Sequence, residues 1–121
     1  MPLDARSVRA LKDAAIAGLT PAFARSETYT AQQWVQRCVD DLAQLWKVGD
    51  CWAVTEVSES KSGRILQVIG VAGDYTPALL HEIELWARGV GVKTIFITGR
   101  KGWARRMKDY ELVTVTMKKD I

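Results

Sequence analysis

Residues 70–95, GVAGDYTPALLHEIELWARGVGVKTI, constrain the fold more than any other stretch of the chain. They read as the end of a strand, a tight loop, an amphipathic helix and a second strand. Leu79, Ile83, Trp86 and Val90 recur on one helical stripe, Thr76 stands at the N-cap position, and Pro77 occupies the first helical position, where a missing N–H costs nothing. Gly91 is placed for a left-handed stop. A strand, helix and strand of this length form a right-handed parallel crossover. Residues 65–72 are apolar on both faces apart from Gln67, so the leading strand is expected to be central and covered on both sides.

The remaining elements fall around this unit. Residues 51–57 and 64–72 are strand-like runs joined by the polar turn 58–63, which predicts an antiparallel hairpin. Thr30-Ala31-Gln32-Gln33 is a capping box. Behind it, Trp34, Val35, Cys38, Leu42, Leu45 and Trp46 form one apolar stripe, with Gln36, Arg37, Asp40, Asp41 and Gln44 facing water, so one helix is expected to run until Gly49-Asp50. An earlier helix is expected over 3–19, on Val8, Leu11, Ala15 and Leu19, capped by Asp4 or Ser7 and ended near Gly18 and Thr20-Pro21. Residues 22–29 read as a connector, 102–109 as a short helix and 112–117 as a final strand. The order α-α-β-β-α-β-α-β implies one α+β domain over 1–121, with a mixed sheet, antiparallel and then parallel, and helices on both faces.

At 121 residues, 48% hydrophobic and 26% charged, the chain buries a core without disulfides or metal. Five Trp is a surplus that points both to core and to a protein interface. The formal charge of +3 is too small for strong steering toward polyanions, but Arg88, Lys93, Arg100, Lys101, Arg105, Arg106 and Lys108 crowd one C-terminal span. Cys38 and Cys51 have no C-x-x-C spacing and no His companions, so they are expected to be reduced, buried core residues. With no cationic leader and no apolar run of membrane-spanning length, the chain is expected to be soluble and intracellular.

The succession of elements resembles the GNAT superfamily of N-acetyltransferases, most closely over residues 64–121. The residues that carry the likeness are the apolar strand 65–72, Leu79-Leu80 near the helix start, Ala87 and Gly91 near its end, the strand 93–97, and Trp103-Ala104-Arg105-Arg106-Met107. Gly99-Arg100-Lys101-Gly102-Trp103-Ala104-Arg105, with the closing Met117-Lys118-Lys119-Asp120-Ile121, is similar to small GNAT-like proteins of tailed bacteriophages. That narrower likeness implies a bacterial host cytoplasm or a virion.

The family resemblance implies an acetyl-CoA site along Val71, Ala72, Gly73, Asp74, Tyr75 and Thr76. Family members hold the pyrophosphate with a glycine-rich loop whose free N–H groups and adjoining helix N-terminus face the anion. This loop keeps Gly73 but adds the acid Asp74 and, at Pro77, loses a donor. Two like unit charges about 4 Å apart repel by roughly 4 kcal/mol at an effective dielectric near 20. A capped turn that starts a helix is the competing reading of the loop.

The resemblance also implies a general base on the central strands and a Tyr as general acid. Glu56 is the base candidate. The aligned Tyr position falls on Lys108, which leaves Tyr110 as the acid candidate, with packing as its alternative role. His81, the only histidine, has no evident partner, and no metal-ligand or Ser/His/Asp set is visible.

The surface of Arg100, Lys101, Trp103, Arg105, Arg106 and Lys108 suits protein docking, the 3′-phosphate of CoA or nucleic-acid phosphates. The degenerate loop and the displaced Tyr lead to the expectation of a non-catalytic GNAT-like domain without cofactor or membrane contact, acting through phage structural proteins or through itself. The alternatives are a divergent acetyl-CoA-dependent N-acetyltransferase and a nucleic-acid-binding module.

Overall fold

A computed structural model describes residues 1–24, 26, 29–98, 110 and 119. Three helices come first: α1 (Ala5–Ala10), α2 (Lys12–Phe23) and α3 (Ala31–Val39). They lead into β1 (Gln44–Val48), β2 (Cys51–Ser60) and β3 (Gly63–Ala72), then α4 (Pro77–Gly89) and β4 (Val92–Ile97). The strands form one sheet in the order β1-β2-β3-β4. The first two pairings are antiparallel, and β3 with β4 is parallel, as the crossover requires.

Helices cover both faces, and two cores result. On one face, Val8, Leu19, Trp34 and Val35 from α1–α3 meet Leu45, Trp52 and Val54. On the other, Leu79, Ile83 and Ala87 of α4 meet Trp46, Ala53, Leu66 and Val68. This is the expected α+β architecture with a mixed sheet. Trp34, Trp46 and Trp52 are buried and Trp86 packs against the α4 core, so all four described tryptophans contribute to the core.

Several boundaries differ from the sequence reading. The first helix is two, broken at Leu11, whose ψ of 9° departs from the helical value; Asp4 caps α1 by accepting from the Ser7 N–H at 2.8 Å. Gly18 and Pro21 do not end α2. Gly18 is a packing glycine, since a Cβ there would fall 2.5 Å from the Trp52 ring. The helix passes through Pro21 because Leu19 and Phe23 are buried, and this burial outweighs the lost N–H.

The capping box forms as expected: Thr30 accepts from Gln33 N–H, and Gln33 Oε1 accepts from Thr30 N–H. However, α3 stops at Val39, and Asp41 adopts a left-handed φ of 60° that no continuing helix tolerates. Leu42 is exposed, and Leu45 and Trp46 belong to β1. These two are 0% and 1% exposed, one in each core, so their alternation to opposite faces identifies a strand covered on both sides. The predicted helix 102–109 and strand 112–117 lie outside the described residues.

Candidate functional site

The site lies where the described pairing of β3 with β4 ends. β3 pairs with β2 all the way to Ala72, opposite Trp52, but with β4 only as far as Val68, opposite Ile97. Val54 pairs with Gly70 and Thr55 with Val68, which leaves Ile69 as an extra residue, and a bulge of this kind bends the strand that carries it. Among the described residues, 69–72 have no β4 partner. A small apolar cleft, with room for about one water molecule, lies beside these residues on the α4 face, lined by Val68, Val71, Tyr75, Leu79, Leu80, Ile83 and Ile97.

The loop from Gly73 to Thr76 closes one end of the cleft. Gly73 has a φ of +95°, and a Cβ on it would fall 2.1 Å from Asp50 O and 3.2 Å from the Cα of Cys51. The glycine thus serves the close approach of two backbone segments. Thr76 caps α4, its hydroxyl accepting from Ala78 N–H at 3.3 Å, and its carbonyl accepts from Leu79 N–H at 3.1 Å. Pro77 has no N–H. Asp74 is exposed beside these groups.

Of the six residues expected along a cofactor, the structure brings Val71 and Tyr75 into the cleft. Ala72 turns to the opposite core, and Gly73, Asp74 and Thr76 form the capped turn. Val68, which the acetyltransferase alternative also placed along the cofactor, lines the cleft with them, and Leu79, Leu80, Ile83 and Ile97 complete the lining without having been singled out from sequence for this role. The adjacent pair Leu79-Leu80 at the helix start was the available signal.

Glu56 lies on the other face. Its Oε2 receives Arg37 Nη2 at 2.6 Å, and the Arg37 guanidinium stacks 5.1 Å from the Trp34 ring centroid. Arg37, expected to face water, is the partner missed from sequence. Glu56 also pairs across the sheet with Gln67, and Gln67 with Phe96. These three side chains therefore share one face in a row over β2, β3 and β4. Tyr110 donates its hydroxyl to Glu84 Oε1 at 3.0 Å, on α4.

Cys38 and Cys51 are free and buried, and burial pushes the Cys38 thiol up to about 12 and raises that of Cys51. No group of three or more potential metal ligands occurs among the described residues, and His81 is exposed. No described helix is long and apolar enough to cross a membrane. Arg100, Lys101, Trp103, Arg105, Arg106 and Lys108 lie outside the described residues.

Three solved structures share this fold. An aminoglycoside acetyltransferase from an uncultured soil metagenomic sample matches with a TM-score of 0.64 and 15% identity, over 100% of this chain and 95% of its own. A ribosomal-protein-alanine N-acetyltransferase from Brucella melitensis biovar Abortus 2308 matches at 0.58 and 16%, over 100% and 93%. A GNAT family acetyltransferase from Staphylococcus aureus matches at 0.58 and 8%, over 100% and 96%. The fold is that of the GNAT acetyltransferases. No family model matches the chain, and no curated protein matches it in sequence. In the GNAT fold of this chain, the cleft sits at the carboxyl ends of a parallel pair, where α/β sheets place their ligands.

Proposed function

We propose that the chain is an N-acetyltransferase that accepts its acyl group from a pantetheine thioester lying in the cleft between β3 and β4. The end of the β3–β4 pairing at Val68 and Ile97, beside an apolar cleft, is the observation that carries this reading. Among the described residues, the β3 edge beyond Val68 is free of β4 and can take the amides of a pantetheine arm, and the cleft offers apolar side chains for its methylenes. The likeness to three acetyltransferases supports the same reading.

The acceptor approaches from the other face, where Glu56, held in place by Arg37, stands in a row with Gln67 and Phe96. Transfer forms a bond between the acceptor nitrogen and the acyl carbon and breaks the carbon–sulfur bond. The nitrogen's proton goes to Glu56 directly or through water, and the departing thiolate takes up a proton. Thiol release from millimolar acetyl-CoA and acetyl-pantetheine, measured over a panel of amines, tests the proposal. Release that depends on the amine and disappears in Val71→Trp is expected; a flat result from folded protein, with no donor bound, defeats it.

One observation favours a second reading, a non-catalytic GNAT-like domain. Both groups that would move protons are engaged elsewhere, Glu56 with Arg37 and the Tyr110 hydroxyl with Glu84. On this reading the chain acts by docking, through the basic segment with Trp103, to phage structural proteins or to a second copy of itself. It predicts no thiol release with any amine, and self-association or complex formation seen by light scattering.

A further inference from the structure

We infer that the donor is gripped through its pantetheine arm and that the turn at the head of α4 is no seat for a diphosphate. This deepens the N-acetyltransferase reading and rests on it. A helix N-terminus attracts an anion through N–H groups that lack partners. Here each of the first donors is absent or engaged. Pro77 has none, Ala78 N–H goes to Thr76 Oγ1, and Leu79 N–H to Thr76 O.

Gly73 does not open the turn to an anion either. Gly73, whose lack of a side chain would admit an anion, has that space filled by the Asp50 carbonyl at 2.1 Å from where a Cβ would stand. Asp74, exposed beside the turn, adds negative charge where the diphosphate would add two more. By contrast, the cleft behind the turn is apolar, and the β3 edge beside it has no β4 partner over 69–72 among the described residues. The site thus fits one end of coenzyme A and rejects the other.

The substrate class is then a pantetheine thioester whose phosphate end contributes nothing to binding. Two sources share that chemistry: free acetyl-CoA, and the phosphopantetheine arm of a carrier protein, whose phosphate is held by the carrier. The full chain is to be titrated with acetyl-pantetheine, acetyl-CoA and an acetylated acyl carrier protein, by calorimetry and by kcat/KM.

Acetyl-CoA within about threefold of acetyl-pantetheine is the expected result, with little change between low and moderate salt. A carrier-protein value well above both identifies the carrier as the source, and one no better than acetyl-pantetheine identifies the free thioester. Acetyl-CoA ahead by tenfold or more, about 1.4 kcal/mol, overturns this inference and leaves the N-acetyltransferase reading standing. Binding of none of the three overturns that reading itself. In Asp74→Asn the ratio of acetyl-CoA to acetyl-pantetheine affinity rises or stays level; a fall means that the turn holds the diphosphate, and also overturns the inference.

Discussion

Arg37 Nη2 lies 2.6 Å from Glu56 Oε2, an ion pair that ties the last turn of α3 to the middle of β2. The two side chains are 41% and 26% exposed, so solvent screens the pair and its charge contributes modestly. Arg37 also covers the Trp34 ring, which adds packing and a cation–π contact. Arg37→Ala should therefore lower unfolding stability by about 1–2 kcal/mol, more than Glu56→Gln at about 0.5–1 kcal/mol, read from urea midpoints. Thiol release should rank them in the opposite order: Glu56→Gln loses about 100-fold or more in kcat if this carboxylate takes the proton.

Gly73→Ala should be among the most costly single-methyl changes in the chain. Its φ of +95° disfavours any side chain, and the added carbon meets backbone that cannot turn away. A loss of about 2–4 kcal/mol follows from adding left-handed strain to overpacking. Asp74→Ala, one residue on and exposed, should stay within about 0.5 kcal/mol. Equal midpoints for the two variants would refute the assignment of Gly73 to backbone packing.

Thr55 is fully buried, where it accepts from Trp46 Nε1 at 2.9 Å and donates to Gln44 Oε1 at 2.9 Å. Thr55→Val keeps the shape and removes both bonds, leaving the indole N–H of Trp46 buried and unpaired. The expected cost is about 1–3 kcal/mol, with Thr55→Ser, which keeps the hydroxyl, costing less. Tryptophan fluorescence during denaturation reads both variants.

Stability should fall above pH 9. The Cys38 thiol, chiefly through burial and despite the nearby Arg37, is pushed up from 9.0 to about 12. Between these values the unfolded chain gives up a proton that the folded one retains, so rising pH favours unfolding by up to about 1.4 kcal/mol per unit. Cys51, also raised by burial, acts in the same direction. Cys38→Ala should flatten this slope in denaturant midpoints taken between pH 8 and 10.5; an unchanged slope would show that Cys38 is not its source.

Much of the architecture was legible where local chemistry and tertiary demand agree. Thr30 with Gln33, and Thr76 with Pro77, start helices in any context, because their side chains satisfy orphan N–H groups and their backbones are preset. The hairpin of β2 and β3, and the parallel pairing of β3 with β4, followed from polar turns between apolar runs. Leu45 and Trp46 misled because Cys38, Leu42, Leu45 and Trp46 mimic a helical stripe. Two adjacent aspartates at 40 and 41 were the stop signal: acids are disfavoured at a helix C-terminus, and Asp tolerates the left-handed backbone that Asp41 adopts.

The site was less legible for a different reason. That the loop 73–77 is poorly suited to a phosphate was readable from Asp74 and Pro77, since charge and a missing N–H are properties of the residues themselves. What Gly73 is for was not, because Asp50 lies 23 positions earlier and only the folding of β2 against β3 brings its carbonyl beneath the loop. The same holds for Arg37 and Glu56, and for Ile69, the extra residue in the pairing of β3 with β2. The sequence by itself determined which segments are apolar, capped or broken. Only the tertiary structure decided which backbone amides remain free and which side chains meet across elements, because those depend on register and close approach between segments remote in the chain.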